Sequence, residues 1–488
     1  MALINKNKKI SYRPIITVIG FLLIMESIFM VCGIPFSIYH GEDVWPLTAS
    51  AFITFFTGFF CWVPFRRLNE EISRREGFLI VTLSWVAASV FGMLPYLFSL
   101  DYVGITDAFF ESMSGFTTTG SSILMDLESV PKGILFWRAM TQWMGGMGII
   151  MLTLAILPML GIAGFQLFAA EFTGPNKNKL HPRITGTAKR LWLVYLFFTF
   201  AGILLLYAGD MNFFQAVCHS LSTISTGGFS TQNANVADFS AYSQYVISVF
   251  MIIGGINFTI IYFLVKRMFG KILEYHEFWV YLGVIIAATL IITGGLVYHF
   301  HSAAEESFRQ AFFYAVSIVS TTGFVTTDYM EWPVYLITVL FFLMFIGGMA
   351  GSTSGGMKVV RQSLLVKNSY LELKRLIHPN AVVPLTFSKK IIENDTLYKV
   401  MAFFVLYIIV AFVFVVIISF MGLDFESSIG AAIATIGNIG PGIGTFGPTG
   451  DFSALPDLGK WMLALLMLLG RLELFTVLAL FTPKFWKS

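Results

Sequence analysis

The chain has 488 residues, of which 56% are hydrophobic and 12% charged, and its formal net charge is +3. So few charged residues exclude an ordinary soluble globular protein, and so small a net charge argues against a nucleic-acid partner. Runs of about 20 apolar residues recur along the chain, and each is long enough to cross the ~30 Å hydrocarbon core of a bilayer. We therefore predict an all-α polytopic membrane protein surrounded by membrane lipid.

Cysteine and histidine offer little chemistry in this sequence. Cys32, Cys61 and Cys218 lie in apolar segments without CxxC spacing, so neither a disulfide framework nor a zinc site is predicted. His299 and His301 form the one close histidine pair in the sequence, and we interpret them as part of a solvated loop rather than as a transition-metal site. The predicted spans contain no nucleophile–base pair and no paired carboxylates, so we expect neither an enzyme nor a cofactor bound to this chain.

The hydropathy pattern predicts about ten transmembrane helices. The first, from Ile15 to about Phe36, is too long for the apolar core of a secretion signal and lacks a small-x-small cleavage site, so we interpret it as a retained helix. The predicted spans are 15–37, 46–63, 77–98, 134–160, 190–208, 243–268, 277–298, 333–367, 396–421 and 457–482.

Lysine and arginine assign the loops to the two sides of the membrane. With the N-terminus inside, 26 of the 31 basic residues fall on the cytoplasmic side, as the positive-inside rule requires. Only Lys132, Arg138, Arg309 and Lys460 lie outside, where the loops are acidic, and Arg471 lies within a span. Both termini are therefore predicted to be cytoplasmic.

Four short turns rich in Thr, Ser and Gly recur along the chain. Each follows an apolar segment of about ten residues and is followed by a glycine in the next long apolar run. Four copies in register indicate an internal repeat with the order span, short helix, turn, span. The turns are 116–122, 225–230, 320–325 and 437–442, and the later glycines are Gly145, Gly254, Gly347 and Gly470.

The apolar segments before the turns are too short to cross the membrane and return. We interpret them as re-entrant half-helices, because non-helical backbone at membrane depth is tolerated only inside protein or beside a water-filled cavity. The four turns should then converge on one axis. The alternative, four ordinary external loops, does not explain why Thr or Asn precedes Gly at the same place each time. The predicted half-helices are about 106–117, 212–224, 306–319 and 425–435.

A ring of such turns has the groups that a dehydrated cation needs. Backbone carbonyls and hydroxyls of Thr or Ser replace hydration water, and glycine permits the left-handed conformations that turn successive carbonyls to one side. Each half-helix would also point its partly negative C-terminal end at the axis. The turns contain no carboxylate, whereas acidic residues on the outer side would attract cations.

These repeats resemble the superfamily of K⁺ transporters that includes the Trk, Ktr and HKT proteins, from about Gly77 to Phe481. Two extra N-terminal helices, the fourth turn 437–442 and a glycine-rich segment in the third repeat resemble the Trk branch. The resemblance implies a K⁺ selectivity filter with one shared glycine per repeat; Gly120, where Na⁺-favouring HKT proteins often carry Ser, favours K⁺. The implied K⁺-binding residues are Thr118, Thr119, Gly120, Thr226, Gly227, Gly228, Thr321, Thr322, Gly323, Asn438, Ile439 and Gly440.

The expected fold therefore consists of four M1–P–M2 repeats with fourfold pseudosymmetry, similar to a K⁺ channel, behind two extra helices. Residues 1–70 form the two-helix extension. The four pore repeats are 71–170, 171–270, 271–380, which includes an intramembrane glycine-rich loop, and 381–488.

Five glycines fall within residues 347–356 of the third repeat. Glycine costs roughly 1 kcal/mol relative to Ala in a helix, so we favour an irregular loop over a GxxxG packing face. The resemblance implies that this loop obstructs the pathway below the filter and that Arg471 contacts it as a cationic barrier; a structural ion pair or a strut bonded to carbonyls is the alternative for Arg471. The implied gate residues are Gly347, Gly348, Gly351, Ser352, Thr353, Ser354, Gly355, Gly356 and Arg471.

The resemblance also implies partners and a location. Trk proteins of this kind form homodimers in the bacterial inner membrane and sit on a cytosolic TrkA ring that senses NAD(H), ATP or ADP. Nucleotide sensing is therefore expected on the partner subunit, and the basic segments 171–190 and 358–399 are the expected contact surfaces. K⁺ is then the transported ion rather than a cofactor.

Two other transport mechanisms stay open at this stage. A Ktr-type Na⁺-dependent K⁺ transporter is one, although the extra N-terminal helices weigh against it. A coupled secondary transporter of another solute, such as a symporter, is the other; it predicts inverted repeats, whereas these repeats share one orientation. Symport of K⁺ with H⁺ or Na⁺ is not decided by the sequence.

Overall fold

The computed structural model describes residues 10–65, 72–148, 184–380, 383–388 and 390–487. Within these ranges the regular secondary structure is mostly helical. The strands among the described residues form a short antiparallel hairpin, in which Thr386–Phe387 pairs with Lys390–Ile391. Thr386 lies opposite Ile391 and Phe387 opposite Lys390.

The helices follow the predicted order along the chain. The α-helices of the first half are Tyr12–Val31, Ile34–His40, Trp45–Trp62, Arg74–Gly92, Leu94–Ser99, Ile105–Phe116, Lys132–Trp143, Ile184–Tyr207, Phe213–Ile224 and Ala241–Gly255. Those of the second half are Phe258–Val265, Phe269–Leu273, His276–Phe300, Ala304–Val319, Val334–Leu343, Val359–Ile377, Asn394–Ser419, Phe425–Ile436, Asp457–Arg471, Phe475–Leu478 and Pro483–Trp486. Met144–Gly148 forms a π-helical turn.

Six helices in the described ranges are long and apolar enough to cross a membrane. Two further pairs count as broken spans, because each bends sharply at a short interruption. These eight spans coincide with eight of the ten predicted ones, and the predicted span 134–160 extends beyond the described residues. The bent pairs are Ala241–Gly255 with Phe258–Val265, at 109°, and Asp457–Arg471 with Phe475–Phe481, at 111°.

The predicted span 333–367 is not one helix. Val334–Leu343 ends and Val359–Ile377 begins after an irregular segment, 344–358. Gly347, Gly351 and Gly356 in this segment have φ of +74°, +79° and +71°, which a right-handed helix does not accept. The glycine-rich segment is therefore an irregular loop, and the alternative of a helical GxxxG packing face does not hold.

Four short helices lie at the positions predicted for half-helices: Ile105–Phe116, Phe213–Ile224, Ala304–Val319 and Phe425–Ile436. The N-terminus of each has a capping residue or acidic residues in its first turn. Asn212 caps the second through a reciprocal capping box with Gln215, and Asp424 caps the fourth by accepting from the Ser427 N–H at 3.0 Å. The first and third carry acidic residues in their first turns, which suits the positive end of a helix dipole.

The first three half-helices share one packing pattern. Each packs against the long helix before it and the long helix after it in the sequence. Each also packs against a third long helix, the one that follows the half-helix of a neighbouring repeat. Thus Ile105–Phe116 contacts Asp457–Arg471, Phe213–Ile224 contacts Lys132–Trp143, and Ala304–Val319 contacts Ala241–Gly255. The half-helices are consequently enclosed by long helices, and the residues near their C-terminal ends are fully buried.

Candidate functional site

The turn after each half-helix alternates its backbone conformation. In every turn two residues have positive φ, and they are separated by one residue that does not. The left-handed pairs are Thr118 (+53°) and Gly120 (+85°), Thr226 (+55°) and Gly228 (+81°), Thr321 (+57°) and Gly323 (+78°), and Asn438 (+51°) and Gly440 (+101°). The glycine of each pair is the residue predicted to be shared. The alternation is the geometry that turns successive carbonyls toward one side.

The first residue of each pair ends its half-helix in a Schellman motif. In the first turn the Thr118 N–H donates to the Gly115 carbonyl at 3.0 Å and the Thr119 N–H to the Ser114 carbonyl at 2.9 Å. The same two bonds recur at the corresponding residues of the other three turns. Threonine is unusual in this conformation because it is β-branched, so the surroundings must hold each turn in place.

The four turns form a closed ring. A Cβ atom added to each shared glycine would lie within 3.0 Å of a carbonyl oxygen in the next turn. The partners run in one direction around the ring and return to the start: Gly120 faces the Gly227 carbonyl, Gly228 faces Thr322, Gly323 faces Ile439, and Gly440 faces Thr119. The predicted convergence of four turns from a single chain is therefore present in the structure.

The ring is bounded by neutral polar groups. Thr118, Thr119, Thr226, Thr321 and Thr322 are each 0% exposed. Side chains also tie one turn to the next. Asn438 Nδ2 donates to Thr119 Oγ1 at 2.9 Å and to the Met467 carbonyl at 3.0 Å, and Ser121 Oγ donates to the Gly440 carbonyl at 3.1 Å. These bonds connect the fourth turn to the first.

Three of the four glycines that follow the turns in the sequence allow close contact with the end of a half-helix. Gly145 and Gly470 lie so close to the carbonyls of Phe116 and Ile436 that a Cβ would come within 3.0 Å of those oxygens, and at Gly254 it would lie 3.2 Å from the Ile224 oxygen. Each glycine thus lets a long helix press on the end of a half-helix. Gly347 differs, because its closest neighbours are Gly355 and Gly356 of its own loop.

The glycine-rich loop lies against three of the turns. The Thr353 hydroxyl lies within hydrogen-bond distance of two carbonyls beside the second turn, those of Ile224 at 3.1 Å and Gly254 at 3.0 Å. The Gly355 N–H donates to Thr321 Oγ1 of the third turn at 2.7 Å, and a Cβ on Gly355 would lie 2.8 Å from that of Asn438 in the fourth. Ser352 and Ser354 bond each other through their hydroxyls at 2.6 Å.

Arg471 connects the glycine-rich loop to the segment that follows the first turn. Its Nη1 donates to the Thr353 carbonyl of the loop at 2.6 Å, and its Nη2 donates to the carbonyls of Gly145 at 2.6 Å and Gly146 at 2.9 Å. The guanidinium therefore bridges the loop and the helix that follows the first turn. Glu473, only two residues away, forms an ion pair with Arg361.

Three of the four basic residues predicted to lie outside are paired with carboxylates of the half-helices. Arg138 bonds Glu111 at 2.6 Å, Lys460 bonds Asp107 at 2.6 Å, and Arg309 bonds Glu305 at 3.2 Å. The exposed carboxylate of Asp424 remains ionised, because the hydrogen bonds from Ser427 lower its pKa. Three of these four basic side chains are therefore neutralised by carboxylates, while the exposed Asp424 keeps its charge.

The sequence did not reveal two features of the site. One is the positive φ of Thr118 and its counterparts; the recurrence of Thr or Asn two residues before each glycine is the signal that marks those positions. The other is Gln142, whose amide hydrogen-bonds the second turn. Among the described residues, no group of three or more His, Cys, Asp or Glu side chains is placed to hold a metal ion.

The fold and the ring together define a class: a helical membrane protein whose four half-helices end in matching turns that close on one another, above an irregular loop. The family of cation transport proteins called TrkH matches residues 47–488 of the chain. The chain belongs to the TrkH family.

Relatives and a solved structure agree with this assignment. The chain is 42% identical over 488 residues to the Trk system potassium uptake protein TrkH of Escherichia coli K12, covering 98% of this chain and 100% of that protein. It is 34% identical to TrkG of the same organism, covering 98% and 99%. The crystal structure of the potassium transporter TrkH from Vibrio parahaemolyticus superposes with a TM-score of 0.88 at 38% identity, covering 98% and 100%. The predicted helical membrane fold is confirmed by this likeness.

Proposed function

We propose that this protein takes up K⁺ across the cytoplasmic membrane through the ring of four turns. The observation that carries the proposal is the closed ring itself, in which four turns with the same alternating backbone meet glycine to carbonyl. The printed names of the relatives, potassium uptake proteins of the Trk system, support K⁺ as the ion.

The ring would select K⁺ by replacing its hydration shell with protein oxygens. Alternating left-handed residues present the carbonyls, and four helix C-termini add partly negative ends at the same place. Because the turns contain no carboxylate, a cation is bound by dipoles rather than by a full charge and can leave again. The ion-binding residues of the proposal are those of the three-residue segments 118–120, 226–228, 321–323 and 438–440.

The glycine-rich loop is the proposed gate. It contacts three turns directly and the first unit through Arg471, and these contacts support a proposed position across the path beneath the ring. The guanidinium adds a positive charge that would repel K⁺ in a low-dielectric setting. Opening would require the loop to leave its bonds with Ile224, Gly254 and Thr321.

A cytosolic partner could move this loop through the helix that follows it. Val359–Ile377 follows the irregular segment 344–358 directly, and Val360, Leu364 and Leu371 on it form a separate apolar cluster with the hairpin region. We propose that a TrkA-like nucleotide-sensing ring binds on this side and pulls on the helix, and that two copies of the chain form a homodimer in the bacterial inner membrane, with their termini in the cytoplasm.

Uptake into liposomes that hold only the purified protein tests the proposal. K⁺ and Rb⁺ should enter well above Na⁺ and Li⁺ under an imposed potential, and addition of the cytosolic ring should change the rate. A requirement for Na⁺ in the K⁺ flux would favour the Ktr-type alternative. A requirement for a proton gradient would identify symport, and flux of an organic solute without K⁺ would contradict the proposal.

A further inference from the structure

The second turn differs from the other three at its middle residue. In the first, third and fourth turns the residue between the two left-handed positions is Thr119, Thr322 or Ile439, each 0% exposed. The Thr119 and Thr322 hydroxyls bond back to Thr117 and Ser320, two residues earlier. These side chains therefore fill the space behind their turns. The second turn has Gly227 at this position and supplies no side chain of its own.

Gln142 occupies the corresponding space behind the second turn. A Cβ atom added to Gly227 would lie 2.8 Å from Gln142 Cγ and closer still to its amide group, so the two positions cannot both carry a side chain. Gln142 comes from Lys132–Trp143, the long helix after the first turn, and is 0% exposed. A side chain from a different unit thus replaces the missing one.

The amide group of Gln142 also bonds the backbone of the second turn at two points. Its Nε2 donates to the Gly227 carbonyl at 2.6 Å, and its Oε1 accepts from the Phe229 N–H at 3.1 Å. The two bonds span Gly228, the shared glycine whose φ is +81°. Buried amide groups that lose such bonds are costly, so the two bonds resist any change in the backbone around Gly228.

We propose that Gln142 is a positioning residue of the ion pathway and that it forms a matched pair with Gly227. Gln142 fixes the second turn from the neighbouring unit, as a side chain of its own fixes each of the other turns. This inference rests on the proposed K⁺ uptake for its effect on selectivity, whereas the matched packing of the two residues does not depend on it.

Five variants in the full-length protein test the pair, and the single variant Gln142→Ala is one of them. Gln142→Leu keeps the volume and loses both hydrogen bonds, and it should lower the K⁺/Na⁺ uptake ratio by about tenfold, a loss of ~1.4 kcal/mol in discrimination. Gly227→Thr alone should lower both uptake and thermal stability, because its side chain collides with Gln142. The double variant Gly227→Thr with Gln142→Ala recreates the arrangement of the other turns and should recover most of the selectivity. Gln244→Ala is the matched control, a buried glutamine whose Nε2 donates to the Phe239 carbonyl at 3.0 Å and whose Oε1 accepts from Arg309 at 2.7 Å, so that neither bond involves a turn.

The thermal stabilities test the matched packing of Gln142 and Gly227 separately from the proposed K⁺ uptake. Compared with wild type, Gly227→Thr and Gln142→Ala should each lower the melting temperature, and the double variant should lose less than the two single losses together. Strictly additive losses, or an unchanged uptake ratio in Gln142→Leu, would overturn the inference. If the wild type itself does not prefer K⁺ to Na⁺, the proposed function fails, and the stability coupling still decides whether Gln142 and Gly227 are matched. If Gly227→Thr does not accumulate, recovery of folded protein in the double variant supports the pairing, and its failure contradicts it.

Discussion

The glycine that follows the third turn does something different from the glycines that follow the other three. Gly145, Gly254 and Gly470 let long helices press against the ends of half-helices, and these contacts support the ring. Gly347 instead lies within the irregular segment 344–358, which lies against the ring. One sequence feature, a glycine in the next apolar run, therefore supports the ring of turns in three units and lies in an irregular loop in the fourth. Under the proposed function, the repeated contacts hold the ion-binding ring and the exception provides the gate.

The largest expected effect comes from removing the feature that distinguishes the third unit. Deleting residues 351–355 takes away the bonds from Thr353 and Gly355 to the turns, so the path beneath the ring should open. Basal K⁺ flux in liposomes should rise by more than tenfold, the change that ~1.4 kcal/mol of barrier produces. Gly270→Ala is a suitable control, because a Cβ there would meet nothing within 4 Å. Lower flux from intact protein would show that the loop supports the fold rather than closes the path.

A smaller effect is expected from disturbing one member of the symmetric ring. Gly120→Ser places a side chain at φ +85° and against the Gly227 carbonyl, so the first turn must shift. We expect the K⁺/Na⁺ uptake ratio to fall by about tenfold, with total cation uptake retained.

The same substitution at a glycine outside the ring provides the comparison for Gly120→Ser. Gly422 also has positive φ, +92°, but has no neighbour within 4 Å of an added Cβ. Gly422→Ser should leave the uptake ratio unchanged. Equal ratios for Gly120→Ser and wild type would remove Gly120 from the filter.

Arg471 allows a finer test, because it connects the two regions. As a charge barrier it should tolerate Lys, whereas as a strut it needs the fork of the guanidinium, which bonds Thr353 and Gly145 together. We expect Arg471→Gln to raise basal K⁺ flux severalfold and Arg471→Lys to stay near wild type. The flux assay in liposomes measures both. If Arg471→Lys behaves like Arg471→Gln, hydrogen bonding rather than charge closes the path.

The smallest expected change concerns stability alone. Gly145→Ala forces a methyl group against the Phe116 carbonyl, and overpacking of this kind costs about 1–3 kcal/mol. The melting temperature in detergent should therefore fall. Gly283→Ala, in the helix His276–Phe300, adds a methyl group where nothing lies within 4 Å and should not lower it. Equal melting temperatures for the two variants would mean that the helix can move away from the half-helix without cost.

Much of the fold could be predicted because the relevant signals are local. Apolar length located the spans, and the third half-helix, predicted as 306–319, is Ala304–Val319. The glycine content of 347–356 revealed the irregular loop because the cost of glycine in a helix adds up along a short segment. The same cost explains why the span 333–367 is interrupted between Leu343 and Val359 instead of forming one helix.

The parts that escaped prediction depend on contacts between distant residues. Nothing near Gln142 in the sequence indicates Gly227, 85 positions away, which it bonds. The left-handed Thr118 contradicts the local preference of a β-branched residue, and the closed ring around it holds that conformation. Likewise, the helix bends after Gly255 where it meets the glycine-rich loop, which is distant in sequence. The Phe258 N–H there donates to the Gly351 carbonyl at 3.2 Å. Tertiary contacts override local preference at the functional site.

The central claim is that the four turns hold a dehydrated K⁺ ion. Anomalous diffraction from crystals grown in Rb⁺, and in Na⁺ for comparison, tests this most directly. The account predicts a Rb⁺ peak on the axis among the carbonyls of Thr119, Gly227, Thr322 and Ile439, which is lost when Rb⁺ is replaced by Na⁺. Rb⁺ bound elsewhere, with none among the turns, would contradict it.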